Sequence, residues 1–226
     1  MMVEPDRVSG GEHDAPRTVV HLLRHGEVDN PSRVLYGRLP DFHLSPLGRR
    51  MAQLAADHLA DHDIAHLVSS PLERAQETAA PIAASHALPV HLDDRVIEAA
   101  NDFEGLAVAG GKGILRHPRL YRKLLNPRRP SWGEPYVELA ARMKAAVAAA
   151  RAAAQGREAV IVSHQAPIWT LRRAVEGRPF PHDPRKRECS LASLTSLTYV
   201  GEELLSITYC EPAAALLPQA QPGAGA

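Results

Sequence analysis

Two arginines and two histidines stand in short polar segments, each directly following an apolar run of strand length. Arg24-His25-Gly26-Glu27 follows Thr18 to Leu23, Ser70-Pro71-Leu72-Glu73-Arg74 follows Ile64 to Ser69, and His164-Gln165 follows Ala159 to Ser163. Guanidinium forks match phosphate oxygens and imidazolium adds charge, so the set suits a dianionic phosphate, and a carboxylate alone would not need so many cations. A histidine whose free ring nitrogen faces phosphorus can also act as a nucleophile, dividing one difficult displacement into two easier steps.

These segments can meet only if the chain builds a sheet that brings the strand ends together. Apolar runs of strand length alternate with amphipathic stretches of helical length, the pattern of an α/β domain with a largely parallel sheet. Ser45-Pro46 opens a helix to about Asp61, with serine as N-cap and proline at the first helical position. Ser70-Pro71 repeats that capping signal before a helix carrying Arg74, Thr78 and Ile82 and ending near Ala84. A short strand is expected around Val90. Tyr136 to Gln155 reads as an alanine-rich helix with Leu139, Met143 and Val147 on one face, and Gly156 is placed to end it. Pro167 to Glu176 reads as the next helix, with Ala192 to Tyr199 and Glu203 to Tyr209 as a final hairpin. In such sheets the ligand crevice lies beyond the carboxyl ends of the strands, where the three segments would converge. The ends, 1–16 and 213–226, read as disordered tails flanking a domain over 17–212, because their Gly, Pro, Ala and polar content buries little apolar surface.

The ordered segments LLRHGEVDN, YGRLPDFHLSPLGRRMA, VSSPLERAQETA, IEAANDFEG and IVSHQAPI resemble the histidine phosphatase superfamily, which includes cofactor-dependent phosphoglycerate mutases and many small-molecule phosphatases. The resemblance covers roughly Val19 to Tyr209 and implies a three-layer α/β/α sandwich with a mostly parallel sheet. It implies that His25 is the nucleophile, that Arg24 and Arg74 bind the transferring phosphoryl group, and that His164 donates to it from the opposite side. It gives Glu98 the role of proton donor. A carboxylic acid in a partly buried, phosphate-rich site can have its pKa raised toward neutrality, which suits that role. Asn30 and Gln165 are assigned to substrate binding. The chain departs from the common pattern at Val28, where Ser or Thr often stands, at Asn30, one position early, and at Gln165, in place of a frequent glycine. The interval from Glu98 to Glu104-Gly105 is one residue short, which keeps Glu104 as the alternative acid.

The remaining composition mainly excludes. Lys plus Arg and Asp plus Glu both total 26 in 226 residues, so no global charge argues for nucleic acid or an anionic membrane. The start of the chain shows no secretory signal or membrane span, and cytoplasmic localisation is expected. Cys189 and Cys210 are too few for a disulfide framework and are expected as free thiols. His58, His62 and His66, spaced by four, invite a metal reading, but the helix is expected to end before His66, so the reading adopted has no metal and no cofactor. Between Gly105 and Gly133 seven Lys and Arg residues, including Arg119 and Arg122, accumulate without an acidic residue. This basic insertion, about 106–132, either selects substrates with extra anionic groups or forms a solvated face. The expected function is hydrolysis of a small phosphorylated substrate, with a mutase and a non-catalytic phosphate-binding regulator as rivals and a homodimer as the oligomer considered.

Overall fold

Strands with apolar residues on both faces must be covered on both sides, and that requirement sets the architecture. The computed structural model describes residues 16–106, 133–183 and 186–221. It contains β1 (Arg17–Arg24), α1 (Pro46–Leu59), β2 (Ile64–Ser69), α2 (Glu73–His86), β3 (His91–Leu92), α3 (Tyr136–Ala153), β4 (Glu158–Ser163), α4 (Gln165–Val175), β5 (Leu194–Val200) and β6 (Glu203–Cys210). The six strands form one mixed sheet in the order β3-β2-β4-β1-β5-β6. β1 to β4 pair in parallel, and β5 and β6 add an antiparallel edge.

Alternating strand residues feed two separate cores. Val20 and Leu22 of β1 with Ala159 and Ile161 of β4 pack under α3 and α4, where Leu139, Met143, Val147, Ile168 and Leu171 are buried. Leu23, Val160 and Val162 face the other way onto Ala55, Ala56 and Leu59 of α1 and Ala75, Ala79 and Ile82 of α2. The result is the expected three-layer α/β/α arrangement. His21 is a buried polar residue within β1, and Ser196 and Glu158 satisfy its two ring nitrogens at 2.7 Å each. The hydrogen bond from His21, assisted by one from His62, holds the Glu158 carboxyl down to about 2.

Ser45 caps α1 as its sequence suggests, its Oγ accepting the Gly48 N–H at 2.9 Å. The second capping signal misled. α2 starts at Glu73 with Leu72 in the capping position and no side-chain cap; Ser70 lies two residues before it, where its Oγ accepts the Leu72 N–H at 3.3 Å and lies 2.8 Å from His164 Nε2. The short strand expected around Val90 is present at His91–Leu92. Of the three spaced histidines His66 separates and stacks on His91, while His58 lies beside both His62 and Cys210, and His62 turns toward Glu158. Residues 1–15 and the basic stretch 107–132, with Arg119 and Arg122, lie outside the described residues.

The C-terminal tail requires correction. Residues 214–219 form a 3-10 helix, and Ala213 and Leu216 pack with Met51 and Ala192 in a third small core. Gln221 then donates its N–H to Glu27 at 2.7 Å. Composition argued for disorder because Pro and Ala recur there, but the apolar residues Leu216 and Leu217 suffice once a complementary surface exists. Leu216→Ala is expected to lower stability by about 2 kcal/mol in urea unfolding. An unchanged midpoint would mean that the tail does not dock.

Candidate active site

The sheet places the three polar segments together as expected. Arg24 ends β1 opposite Ser163 of β4, and the His25 N–H donates to the Ser163 carbonyl at 3.1 Å. Ser69 pairs with Val162 on the other side of β4, which brings Ser70 and the start of α2 to the same edge. His164, immediately after β4, caps α4 with extended backbone. His25, Arg74 and His164 are all fully buried.

The loop after β1 is clamped against the start of α1. A Cβ on Gly26 would sit 2.5 Å from the Gly48 carbonyl oxygen, and one on Gly48 would collide with the Glu27 carbonyl. Glycine at both positions therefore allows two backbones to touch. Glu27 reinforces the contact by accepting the Ser45 hydroxyl at 2.5 Å, and Thr78 Oγ1 accepts the Gly26 N–H at 3.1 Å.

Hydrogen bonding orients each functional group. His25 Nδ1 lies 2.7 Å from the Gly26 carbonyl. A carbonyl only accepts, so Nδ1 carries the proton and Nε2 presents a lone pair. Burial, with Arg74 and Arg24 nearby, holds the His25 pKa well below the ordinary histidine value, which keeps that lone pair free. Burial, followed by Arg74, His25 and Arg24, does the same to His164, whose ring centroid lies 5.1 Å from that of His25. Ser70 Oγ accepts from Leu72 N–H and lies 2.8 Å from His164 Nε2. If the serine proton goes to Nε2, Nδ1 bears a hydrogen directed away from the serine.

Arg24 donates to the Cys189 carbonyl at 2.7 Å and Arg74 to the Gly37 carbonyl at 2.5 Å. Each contact fixes one nitrogen and leaves others aimed elsewhere. Arg24 Nε, Arg74 Nε and Nη1, His25 Nε2, His164 Nδ1 and Glu98 Oε2 are buried without a hydrogen-bond partner among the described residues. Buried polar groups are ordinarily paired, so this concentration marks a place built for a ligand. Four of the atoms belong to cationic side chains or to a histidine able to donate, one is a lone-pair nucleophile, and one is a carboxyl oxygen.

Glu98 is buried, with Oε1 accepting the Ala99 N–H at 2.7 Å. Burial raises its pKa against the opposing pull of that N–H and of Arg74, Arg187 and Arg24. Its backbone carbonyl is gripped by Arg38 and Arg142 at 2.7 and 3.2 Å, and Glu134 bridges both guanidiniums. Glu104 is placed differently. Its Oε1 accepts the Arg38 N–H at 2.9 Å and packs against Gly37, whose φ of +42° marks a tight turn. Glu98, by contrast, keeps Oε2 buried without a partner among the described residues.

Asn30 and Gln165 are held by the protein itself. Both ends of the Asn30 carboxamide bond the Val34 backbone, at 2.8 and 3.1 Å, so it shapes its own loop. Gln165 donates to the Cys189 carbonyl at 3.3 Å and accepts from Arg187 at 3.1 Å. These contacts hold both carboxamides against neighbouring loops. Arg187 is a basic residue beside the pocket that the sequence did not single out. His182 Nε2 and Gln165 hold it, burial lowers its pKa, and Glu98 is its largest opposing influence. Tyr36 was also missed; it is buried with the Arg74 guanidinium 4.7 Å over its ring. Neither carries a spacing signal, because both lie in irregular loops.

The sequence profile described as Histidine phosphatase superfamily (branch 1) matches residues 20–210. The chain belongs to the histidine phosphatase superfamily. This histidine phosphatase is 56% identical over 197 residues to an uncharacterised protein of Mycobacterium tuberculosis, covering 87% of this chain and 98% of that one. It is 33% identical over 182 residues to a probable phosphoglycerate mutase of Yersinia enterocolitica, covering 76% of this chain and 82% of that one. Among solved structures it resembles a mycobacterial glucosyl-3-phosphoglycerate phosphatase in its native form, with a TM-score of 0.67, 30% identity and coverage of 86% of this chain and 97% of that chain.

Ser70→Ala and Asn30→Ala should separate pocket from scaffold. Losing the Ser70 hydroxyl is expected to weaken inorganic phosphate binding by about 10-fold through a freed His164 ring. Asn30→Ala is expected to cost about 1–2 kcal/mol of stability with phosphate affinity nearly unchanged. Calorimetric titration alongside urea unfolding would distinguish them, and a selective loss of affinity in Asn30→Ala would place Asn30 among the ligand contacts.

Proposed function

We propose that this protein hydrolyses a phosphomonoester in two steps through phosphorylated His25. The observation that carries the reading is the buried, unpartnered Nε2 of His25 among the free donor atoms of Arg24, Arg74 and His164. In the first step Nε2 forms a bond to phosphorus as the P–O bond to the alcohol breaks, and Glu98 gives its proton to the departing oxygen. The Arg24 and Arg74 guanidiniums and the His164 ring donate to the equatorial oxygens and stabilise the charge that develops there. In the second step water attacks phosphorus with ionised Glu98 taking its proton, the P–N bond breaks, and inorganic phosphate leaves with the Nε2 lone pair restored.

Because arginine and histidine donors supply the charge, no metal is required for this chemistry. The buried Cys189 thiol, pushed up to about 11 by burial, is no competing nucleophile. Free thiols and the absence, among the described residues, of a helix long and apolar enough to cross a membrane support a cytoplasmic enzyme acting on a small phosphorylated metabolite. Likeness to a probable phosphoglycerate mutase supports a second reading in which the phosphoryl group returns to a substrate rather than to water.

Labelled substrate, quenched rapidly without acid in EDTA, is expected to leave label on the peptide containing His25. His25→Ala should lose activity by about 10³-fold or more. Normal turnover in that variant would overturn the mechanism.

The pH profile tests the acid. The Glu98 pKa is raised, so its protonated form persists to higher pH, and kcat/KM for an alkyl phosphate should fall as pH rises through that value. The lowered His25 pKa puts the acid limb below the ordinary histidine range. Glu98→Gln should slow an alkyl phosphate by about 10²- to 10⁴-fold, with a smaller loss for p-nitrophenyl phosphate, whose leaving group needs no proton. The same selective loss in Glu104→Gln, with Glu98→Gln unaffected, would move the acid to Glu104.

A further inference from the structure

A second group of histidines lies away from the phosphate pocket. His21 sits within β1, three residues before Arg24, and its side chain is only 6% exposed. Its Nδ1 lies 2.7 Å from Ser196 Oγ, directly opposite on β5. Its Nε2 lies 2.7 Å from Oε2 of Glu158, the first residue of β4. His62, in the turn between α1 and β2, brings Nδ1 to the same carboxylate oxygen, also at 2.7 Å. The two rings meet edge to face with centroids 5.4 Å apart. One ligand atom from each of the three residues lies within 4.8 Å of the others.

We propose that His21, His62 and Glu158 bind a divalent transition-metal ion, zinc in the first instance, on the side of the sheet covered by α1 and α2. Two imidazoles and one carboxylate are the donor set of a three-ligand zinc site that leaves a fourth position for water. Three segments distant in sequence supply one donor each, so an ion there would tie β1, β4 and the α1–β2 turn together. His21 is already oriented for this. With Nε2 on the metal, its Nδ1–H donates to Ser196 Oγ, the outer contact that fixes the ring of a metal-bound histidine. Without metal the same two imidazoles crowd one carboxylate oxygen. The His62 and Glu158 side chains are 36% and 23% exposed, which gives an ion a path from solvent to the buried His21. His58 stands beside the group, its ring centroid 5.9 Å from that of His62, as a further nitrogen donor.

The spaced set His58, His62 and His66 therefore contributes to this site through His62, with partners that the spacing does not reveal. The site stands apart from the reaction proposed above, and its test does not use activity. Full-length protein stripped with a chelator would be titrated with zinc against a chromophoric chelator, with circular dichroism to check the fold of each variant. One equivalent is expected to bind with micromolar or tighter affinity and to raise the thermal midpoint. Affinity should fall by at least about 10²-fold in His62→Ala and in Glu158→Gln, and by about 10-fold in Ser196→Ala, which keeps all three ligands. His25→Ala should bind zinc as the parent does. Absence of stoichiometric binding would overturn the proposal. Binding that survives His62→Ala and Glu158→Gln but disappears in His25→Ala would also overturn it, by moving the ion to the catalytic pocket.

Discussion

The structure turns on the burial of positive charge at the ends of β1 and α2. Arg74 is fully buried, and it shares its surroundings with Arg24, His25 and His164, with Glu98 as the acidic group of the pocket. Removing an ion from water costs several kcal/mol even after relaxation, and a backbone carbonyl on one guanidinium nitrogen offsets only part of that. A dianionic ligand offers what the protein leaves out. The pocket is therefore pre-organised at the expense of stability, and burial, reinforced by the neighbouring arginines, holds the pKa values of its two histidines well below the ordinary value.

Holding such a group in place requires a scaffold that does not yield. The Gly26–Gly48 contact removes any side chain between the loop after β1 and the first turn of α1, so a shift of one backbone moves the other. Glu27 binds Ser45 and Gln221, which ties that loop to both the helix cap and the C-terminal segment. Glu98 is held through its backbone by Arg38 and Arg142, whose charges Glu134 balances. Among the described residues the carboxyl group itself makes no salt bridge. That arrangement keeps the carboxyl positioned while allowing its pKa to rise.

The same strand serves two polar groups with opposite electrostatics. Arg24 ends β1 in a region crowded with cations, whereas His21, on the same strand, faces a carboxylate. The hydrophobic residues between and around them, Leu22 and Leu23, are fully buried and separate the two environments. A sheet permits this because successive side chains point to opposite faces and the strand advances by about 3.3 Å per residue.

The sequence by itself determined the layered α/β architecture, the meeting of Arg24, His25, Arg74 and His164, and the candidacy of Glu98. The first two follow from local properties: strand-length apolar runs, helical periodicity, and polar residues at strand ends that a parallel sheet must align; the candidacy of Glu98 comes from the resemblance to the histidine phosphatase superfamily. What only the tertiary structure decided depends on contacts between segments far apart in the chain. Ser70 reads as a helix cap, yet α2 begins three residues later and the Ser70 hydroxyl meets His164, and the contacts of Glu104 with Arg38 and Gly37 carry no signal in the sequence. The partners of Asn30 and Gln165, namely Val34, Cys189 and Arg187, are equally invisible in the sequence, and 213–221 reads as disordered until Met51 and Ala192 supply a surface. A side chain's hydrogen-bonding capacity is written in its residue type. Which partner takes it up depends on what folding brings within about 3 Å, and no spacing along the chain encodes that distance.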